Sequence, residues 1–303
     1  MTVGSGAQVI AAPPVAPPRI SLLGAVLRPT EVPEGWMNGI TFSPEAADAT
    51  LAADGYWWDP CIPGASDPST VEGGPGTKTA GSRPDHPLFR PWAVVEGDTC
   101  SAADFRRGDF SARARRLLEA ATPAKVEHEF WTGQIVELAG FPNRYLASAD
   151  ADVLNGGAAA PLPHALSDLQ DYLAATITGR GTIHCTPGLA NLWLSAGLLR
   201  REANVWLDVK DNLVVPGDGY TGSGPPDETA AGTRSSWAYA TSMIHYLEEP
   251  AATVIPGSLS EALDKATNTV TWRAERVVLP FFDLLAHGAV LVDHCSTCCT
   301  ETS

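Results

Sequence analysis

Residues 162–194 read LPHALSDLQDYLAATITGRGTIHCTPGLANLWL, and three different periodicities follow one another within them. Pro163 opens a helical run in which Leu166, Leu169, Leu173 and Ile177 recur at +3, +4 and +4, placing them on one face. Gly179 is suited to end that helix because it tolerates a left-handed backbone. Thr182-Ile183-His184-Cys185 then reads as a short buried strand, Pro187 stops it, and a further helix is expected from about Leu189 to Leu198.

Upstream, Phe89 to Val95 (FRPWAVV) reads as a strand. Asp109 is placed to cap a helix that starts at Phe110, and FSARARRLLEAA (110–121) is rich in helix formers. Thr122-Pro123 resembles an N-cap with proline at the first helical position, and a helical run continues to about Ile135. The stretch is therefore one long kinked helix or two in tandem. A loop is expected over 140–161. Downstream, Val205, Leu207 and Val209 alternate, Asp211-Asn212 turns, and Leu213 to Val215 returns, a hairpin pattern. A Gly/Pro-rich loop spans 217–232, a strand-like stretch lies within 238–248, TVTWRAERVVLPFF (269–282) is a long β-prone run, and HGAVLVD (287–293) is a last strand.

The N-terminal 18 residues are rich in Ala, Pro, Gly and Val and include Pro13-Pro14 and Pro17-Pro18, which favour an extended arm over a helix. Residues 55–90 have no clear period. They open with Tyr56-Trp57-Trp58 and continue through Pro60, Pro63, Pro68, Gly73-Gly74-Pro75-Gly76 and Pro84. A stretch of that length without a repeat is expected to be either disordered or a long loop packed on a neighbour.

Bulk composition excludes several classes. The chain has 303 residues, 44 % apolar and only 18 % charged, too apolar and too little charged for wholesale disorder. With 20 basic against 35 acidic residues it carries a formal charge of −15, which argues against a broad basic face for nucleic acid. No window approaches a membrane span, and the start lacks the basic and apolar regions of a signal peptide, so an unprocessed, non-membrane chain is expected. Of the six cysteines, Cys295, Cys298 and Cys299 form a tail after His294; a single CxxC without a second ligand pair reads as thiols rather than zinc.

Catalytic patterns are sparse. There is no GxxxxGK[ST], HExxH or GxSxG. Gly217-Asp-Gly-Tyr-Thr-Gly222 has the look of a phosphate loop, but no amphipathic helix follows it, so a turn-rich loop is expected. His184 and Cys185 are adjacent on a strand and point to opposite faces, so they cannot act as base and nucleophile; His184 is expected to be a satisfied core residue. His128, beside Glu127 and Glu129, has no second histidine at i+4. The carboxylates Asp208, Asp211, Glu248 and Glu249 are expected to be solvated. No enzyme, cofactor or metal is implied.

The order of segments carries a resemblance. A Pro-rich arm, a long Gly/Pro loop returning through 89–95, a helix over 110–135, the helix–strand–helix of 162–194 and the late strand Asn268-Thr-Val-Thr-Trp-Arg-Ala-Glu-Arg276 are together similar to the Hong Kong 97-like fold of tailed-phage major capsid proteins and encapsulin shells. The resemblance covers about residues 85–293. It implies an α+β chain with an N-terminal arm and lead-in (1–54), an extended loop (55–95), a spine helix and peripheral region (96–160), an axial-type domain (161–268), and late strands with a C-terminal tail (269–303).

The function it implies is a self-assembling subunit of an icosahedral shell around a double-stranded DNA genome, built of hexamers and pentamers in the host cytoplasm and found in the virion. The alternatives are an encapsulin-like compartment, another virion part such as a tail or decoration protein, or, less in keeping with the sequence, a metal- or Cys-dependent enzyme. Portal, scaffold or decoration proteins are implied partners, and packaged DNA would be touched only weakly. No long scaffolding segment precedes the arm, so a separate scaffold or none is expected, and no cross-linking lysine is assigned. Candidate inter-subunit contacts are Pro13, Pro17, Tyr56, Trp57, Trp58, Phe89 and Trp92.

Overall fold

In the computed structural model the described residues are 20–42, 87–101 and 109–294. The described residues form a mixed α+β fold built on two large sheets that share one ribbon of antiparallel strands, beside a separate two-stranded sheet.

A short helix α1 (Leu22–Ala25) leads in, followed by β1 (Ile40–Thr41), β2 (Leu88–Phe89) and the long β3 (Trp92–Ser101). Next come α2 (Phe110–Thr132) and α3 (Gln134–Ala139), then β4 (Asp152–Val153), β5 (Ala160–Pro161) and α4 (Leu162–Thr176). β6 (Thr182–Cys185), α5 (Pro187–Ser195), β7 (Arg200–Glu202), β8 (Val205–Leu207) and β9 (Leu213–Pro216) follow. The last third holds β10 (Ser235–Thr241), β11 (Ile244–Glu248), β12 (Thr253–Ile255), α6 (Leu259–Ala262), β13 (Leu263–Asp264), β14 (Thr269–Phe282) and β15 (His287–Asp293).

The larger sheet runs β4-β15-β10-β6-β9-β8-β7, with β5 also on β15. It is mixed: β6 lies parallel to β9, whereas β10 is antiparallel to both β6 and β15. The smaller sheet centres on β14, whose length lets it pair with β3, β11, β12 and β13. The region 238–248, expected to contain a strand-like stretch, holds parts of two strands in different sheets. β10 ends at Thr241 against His287, and β11 begins at Ile244 against Phe282. The chain thus crosses between sheets twice side by side, at 242–243 and at 283–286, and Ser242 Oγ ties the crossings by donating to Asp283 O at 2.9 Å. Strands β11 to β13 join the smaller sheet, and β15 returns to the larger.

Both faces of the larger sheet are covered, which accounts for its nearly continuous apolar strands. Trp237, Tyr239, Ala289 and Leu291 point into a core shared with α1, α2 and the smaller sheet. Their neighbours Ala238, Ala240, Val290 and Val292 point to a second core under α4 and α5, where Leu166, Leu169, Leu173 and Ile177 also lie. The edge strand β7 exposes Arg200, Arg201 and Glu202, charges that discourage edge-to-edge pairing.

The 110–135 stretch resolves as one helix followed by a short one. Asp109 Oδ1 accepts from Ala112 N at 3.0 Å, the expected cap, and that bond holds its carboxyl below the usual range. Helix α2 continues through Pro123, with Thr122 Oγ1 donating to Leu118 O at 2.6 Å, so Thr122 does not start a new helix. The break comes at Gly133, whose φ of 64° is left-handed and whose missing Cβ leaves room for the Tyr145 ring. The carboxylate of Glu129 accepts from Ile135 N and Val136 N at 2.9 and 3.0 Å, capping α3 from the preceding helix.

Candidate functional site

Three features near the middle of α2 gather the chain's polar chemistry. The first is Glu127, a fully buried carboxylate. Its Oε1 accepts from Leu22 N at 2.8 Å and its Oε2 from Gly219 N at 3.0 Å, so one side chain holds the lead-in and the 217–222 loop. Burial raises its pKa to about 7, and the nearby Asp218 carboxylate pushes the same way. Gly219 can sit there because it lacks a side chain: a Cβ would lie 2.0 Å from Ala124 O. The GDGYTG stretch is thus a turn pressed onto a helix, not a phosphate cradle.

The second feature lies where the two sheets meet. His184 is fully buried and bonded on both nitrogens, Nδ1 to Tyr220 Oη at 2.9 Å and Nε2 to Thr241 Oγ1 at 3.0 Å. Thr241 Oγ1 spends its own hydrogen on Ser242 O at 2.8 Å. It must therefore accept from His184 Nε2–H, which leaves Nδ1 to accept from Tyr220. Burial pushes the imidazole down to about 3 and His287 nearby adds to the shift, so the ring is neutral. His287 Nε2 donates to Leu146 O at 2.9 Å, and burial also lowers its pKa. Cys185 points into the opposite core, and burial pushes its thiol up. The pair is structural, as strand geometry requires.

The third is an open groove of about 700 Å³ between β3, α2, the start of α3 and the 217–222 loop. Trp92 and Tyr220 contribute to its lining, with Val95 and Ile135 each 40 % exposed. Leu138, on α3, is 90 % exposed between the left-handed Gly133 and Gly140. These apolar positions are the surface that the sequence reading missed; the two bracketing glycines were the available signal.

Of the seven contact candidates, Pro13, Pro17, Tyr56, Trp57 and Trp58 lie outside the described residues. Phe89 and Trp92 are turned into the chain's own core, at 1 % and 6 % exposure, so their rings are not free to anchor a neighbour. Phe89 packs against Phe42, Phe281 and Phe282 with ring centroids near 6 Å. Trp92 alternates inward with Val94, which leaves Leu88 and Val95 as the exposed large apolar residues of those strands.

Asp208 also departs from expectation. It is buried rather than solvated, and accepts from Lys210 N, Asn212 N, Asn212 Nδ2 and Gln170 Nε2 at 2.8–3.0 Å, organising the β8–β9 turn. The alternation of Val205, Leu207 and Val209 accordingly stops at Leu207 as a strand, and Val209 is 75 % exposed. Among the described residues no three His, Cys, Asp or Glu side chains gather to hold a metal ion, and no helix is long and apolar enough to cross a membrane. The Cys295–Cys299 tail lies outside them.

No protein-family model matches the chain, and no curated protein does. Solved structures do. The capsid chain of an empty GTA particle overlays with a TM-score of 0.52 at 12 % identity, covering 95 % of this chain and 94 % of that one. The capsid chain of the native GTA particle gives 0.51 at 12 % identity, with 96 % of each chain covered. The encapsulin of Synechococcus elongatus PCC 7942 overlays more loosely, at 0.43 over 69 % of this chain. The fold is that of capsid shell chains. Specifically, it is the Hong Kong 97-like capsid fold expected from the order of segments.

Proposed function

We propose that this chain is a structural subunit that assembles with copies of itself into the closed icosahedral capsid of a tailed phage, around double-stranded DNA. The observation that carries the reading is the end-to-end overlay on GTA capsid chains, 95 % of this chain on 94 % of the other, despite 12 % identity. An overlay of that extent spans the chain and is not a shared small motif. The chemistry at α2 agrees with a structural role: its buried polar groups are spent on holding segments together.

In this reading residues 1–54 serve as arm and lead-in, 55–95 as extended loop, 96–160 as spine helix and peripheral region, 161–268 as axial-type domain and 269–303 as late strands and tail. Hexamers and pentamers of the chain form the shell. Its energy comes from apolar area buried repeatedly between copies, at roughly 25 cal/mol per Å². Tyr56, Trp57 and Trp58 in the loop, and Pro13 and Pro17 in the arm, are contributors; Val95, Ile135 and Leu138 join them as exposed apolar positions. A portal, scaffold or decoration protein completes the particle. The net charge of −15 keeps contact with packaged DNA weak.

The test is negative-stain electron microscopy of the purified, concentrated protein, with absorbance at 260 and 280 nm on the same fraction. Closed spheres support the reading, and the absorbance ratio separates a genome container from an encapsulin-like compartment. Rings or tubes would move the chain to another virion part. A second arm deletes residues 1–18: the subunit is expected to stay folded and assemble poorly, and normal particles would refute the role of the arm.

A further inference from the structure

We propose that the groove between β3 and α2 is a strand-docking site, and that its occupant is this chain's own N-terminal segment, residues 7–12 (AQVIAA), added as a further strand on the outer edge of β3. The inference goes beyond the shell reading and does not rest on it.

The edge comes first. β3 is ten residues long and, among the described strands, pairs with β14 alone. On β14, Val277 N donates to Glu249 Oε2 and Val277 O accepts from Glu249 N, both at 3.0 Å, so the odd-numbered residues of β14 turn their backbone toward β11. The even-numbered ones face β3 and take up the backbone of their partners Trp92, Val94, Glu96, Asp98 and Cys100. Ala93, Val95, Gly97 and Thr99 therefore point N–H and C=O away from the sheet, and all four are exposed. Val95 O shows this directly by accepting from Lys125 Nζ at 2.7 Å. A lysine laid on an open edge is a common guard against stray pairing. It can yield the carbonyl without losing its charge partner, because Glu96 Oε1 lies 2.6 Å from the same nitrogen. Ala93 and Val95 also line the groove, and Ala124 and Ile135 line it too. A strand laid there would bond to β3 through its backbone and turn every second side chain toward the helix wall, as in peptide recognition by β-strand addition.

Three observations select the occupant. The chain enters the described fold beside the groove: the two oxygens of Glu127 accept from Leu22 N at 2.8 Å and from Gly219 N at 3.0 Å, and Gly219 is part of the groove lining. From Ala12 to Ile20 the chain spans up to about 26 Å when extended, ample to bring residues 7–12 back to β3. The charges agree as well. Lys125 is held by Glu96 and Glu129 by the α3 amides, so Asp218 is the carboxylate that an incoming side chain would meet. Residues 1–18 carry no charged side chain, whereas 43–86 carry seven acidic and two basic ones and 102–108 include Asp104, Arg106 and Arg107. Finally, Val9 and Ile10 are β-branched and residues 7–12 keep every backbone N–H, while Pro13, Pro14, Pro17 and Pro18 lack theirs and end any pairing there.

The experiment is hydrogen exchange on the unassembled full chain, read at the amides of Ala93 and Val95 and corrected for intrinsic rates. Thr99, on the same edge but outside the groove lining, is the internal reference. Ala93 and Val95 are expected to be protected at least about tenfold over Thr99. Deleting residues 1–12 should abolish that difference, and a synthetic peptide of residues 1–12 should restore it. Val95→Pro removes an N–H that makes no bond to β14, so the ladder is kept, and Ala93 should then exchange alike with and without residues 1–12. Ile10→Pro, outside the folded body, gives the same loss and keeps the test open if Val95→Pro does not fold. Ala93 and Val95 exchanging as fast as Thr99 in the full chain would overturn the proposal. Protection that survives the deletion would do so too, by assigning the groove to another segment, and protection that rises with protein concentration would assign it to a second copy. Particle formation is scored separately by electron microscopy. Particles with an unprotected Ala93 sink the docking and leave the shell reading standing, whereas protection that depends on residues 1–12 without particles does the reverse.

Discussion

Gly219→Ala concentrates the packing argument in one methyl group. The added Cβ would lie 2.0 Å from Ala124 O, 2.7 Å from His128 N and 2.9 Å from Glu127 Cβ. Two of those three are backbone atoms of α2 and cannot swing aside. Relieving the first contact to an ordinary separation moves the loop by about 1 Å or more, which stretches the Gly219 N to Glu127 bond from its 3.0 Å beyond hydrogen-bonding range. Overpacking of this kind costs about 1–3 kcal/mol. Leaving the buried carboxylate one donor short adds about 1–3 kcal/mol. The expected loss is roughly 4 kcal/mol, or a Tm lower by about 8 °C at ~2 °C per kcal/mol for a chain of this size. The assay is thermal and urea unfolding of the unassembled subunit followed by tryptophan fluorescence, because Trp131 sits 4.8 Å from the Tyr220 ring of the same loop. Gly188→Ala is the control: it is exposed in α5 with nothing within 4 Å of the added Cβ, so a neutral or slightly stabilising effect is expected. A Gly219→Ala variant within ~0.5 kcal/mol of the parent would refute the close approach of loop and helix.

Three further outcomes are expected. His184 is neutral when folded and its pKa is depressed to about 3, so its contribution to stability is intact above about 6.5 and is lost as the pH falls toward 3. Between pH 7 and 5 the unsubstituted subunit should therefore lose about 2 kcal/mol that His184→Gln does not, read as urea midpoints at both pH values; equal losses would assign the slope to other groups. Asp208→Ala removes the acceptor of two backbone amides and two side-chain amides, and should cost about 3 kcal/mol in the same unfolding assay. Leu138→Ser, at 90 % exposure, should leave subunit stability within ~0.5 kcal/mol while lowering the yield of particles seen by electron microscopy; an unchanged yield would remove Leu138 from the contact surface.

Local signals determined much of this protein. The +3, +4, +4 spacing of Leu166, Leu169, Leu173 and Ile177 was enough to place α4, because a helix repeats its inward face at that interval wherever it sits. Adjacent strand residues must point apart, so the separation of His184 from Cys185 was legible without coordinates. The order of these segments also carried the fold, because connectivity survives when identity has fallen to 12 %. What remained hidden depends on partners distant in sequence. Phe89 and Trp92 looked like free aromatics until β14 and Asn143 supplied their surroundings, the latter by pairing with both backbone groups of Arg90 at 2.7 Å. Glu127 was one carboxylate among many on a helix; the burial and near-neutral titration arise only when residues 105 before it and 92 after it arrive at its two oxygens. The region 238–248 shows strand propensity but not its division between two sheets, which falls where Ser242 is tied to Asp283. Periodicity reports which way a side chain faces along its own element. Which element it meets is decided by tertiary packing, and the candidate site of this chain is made almost wholly of such meetings.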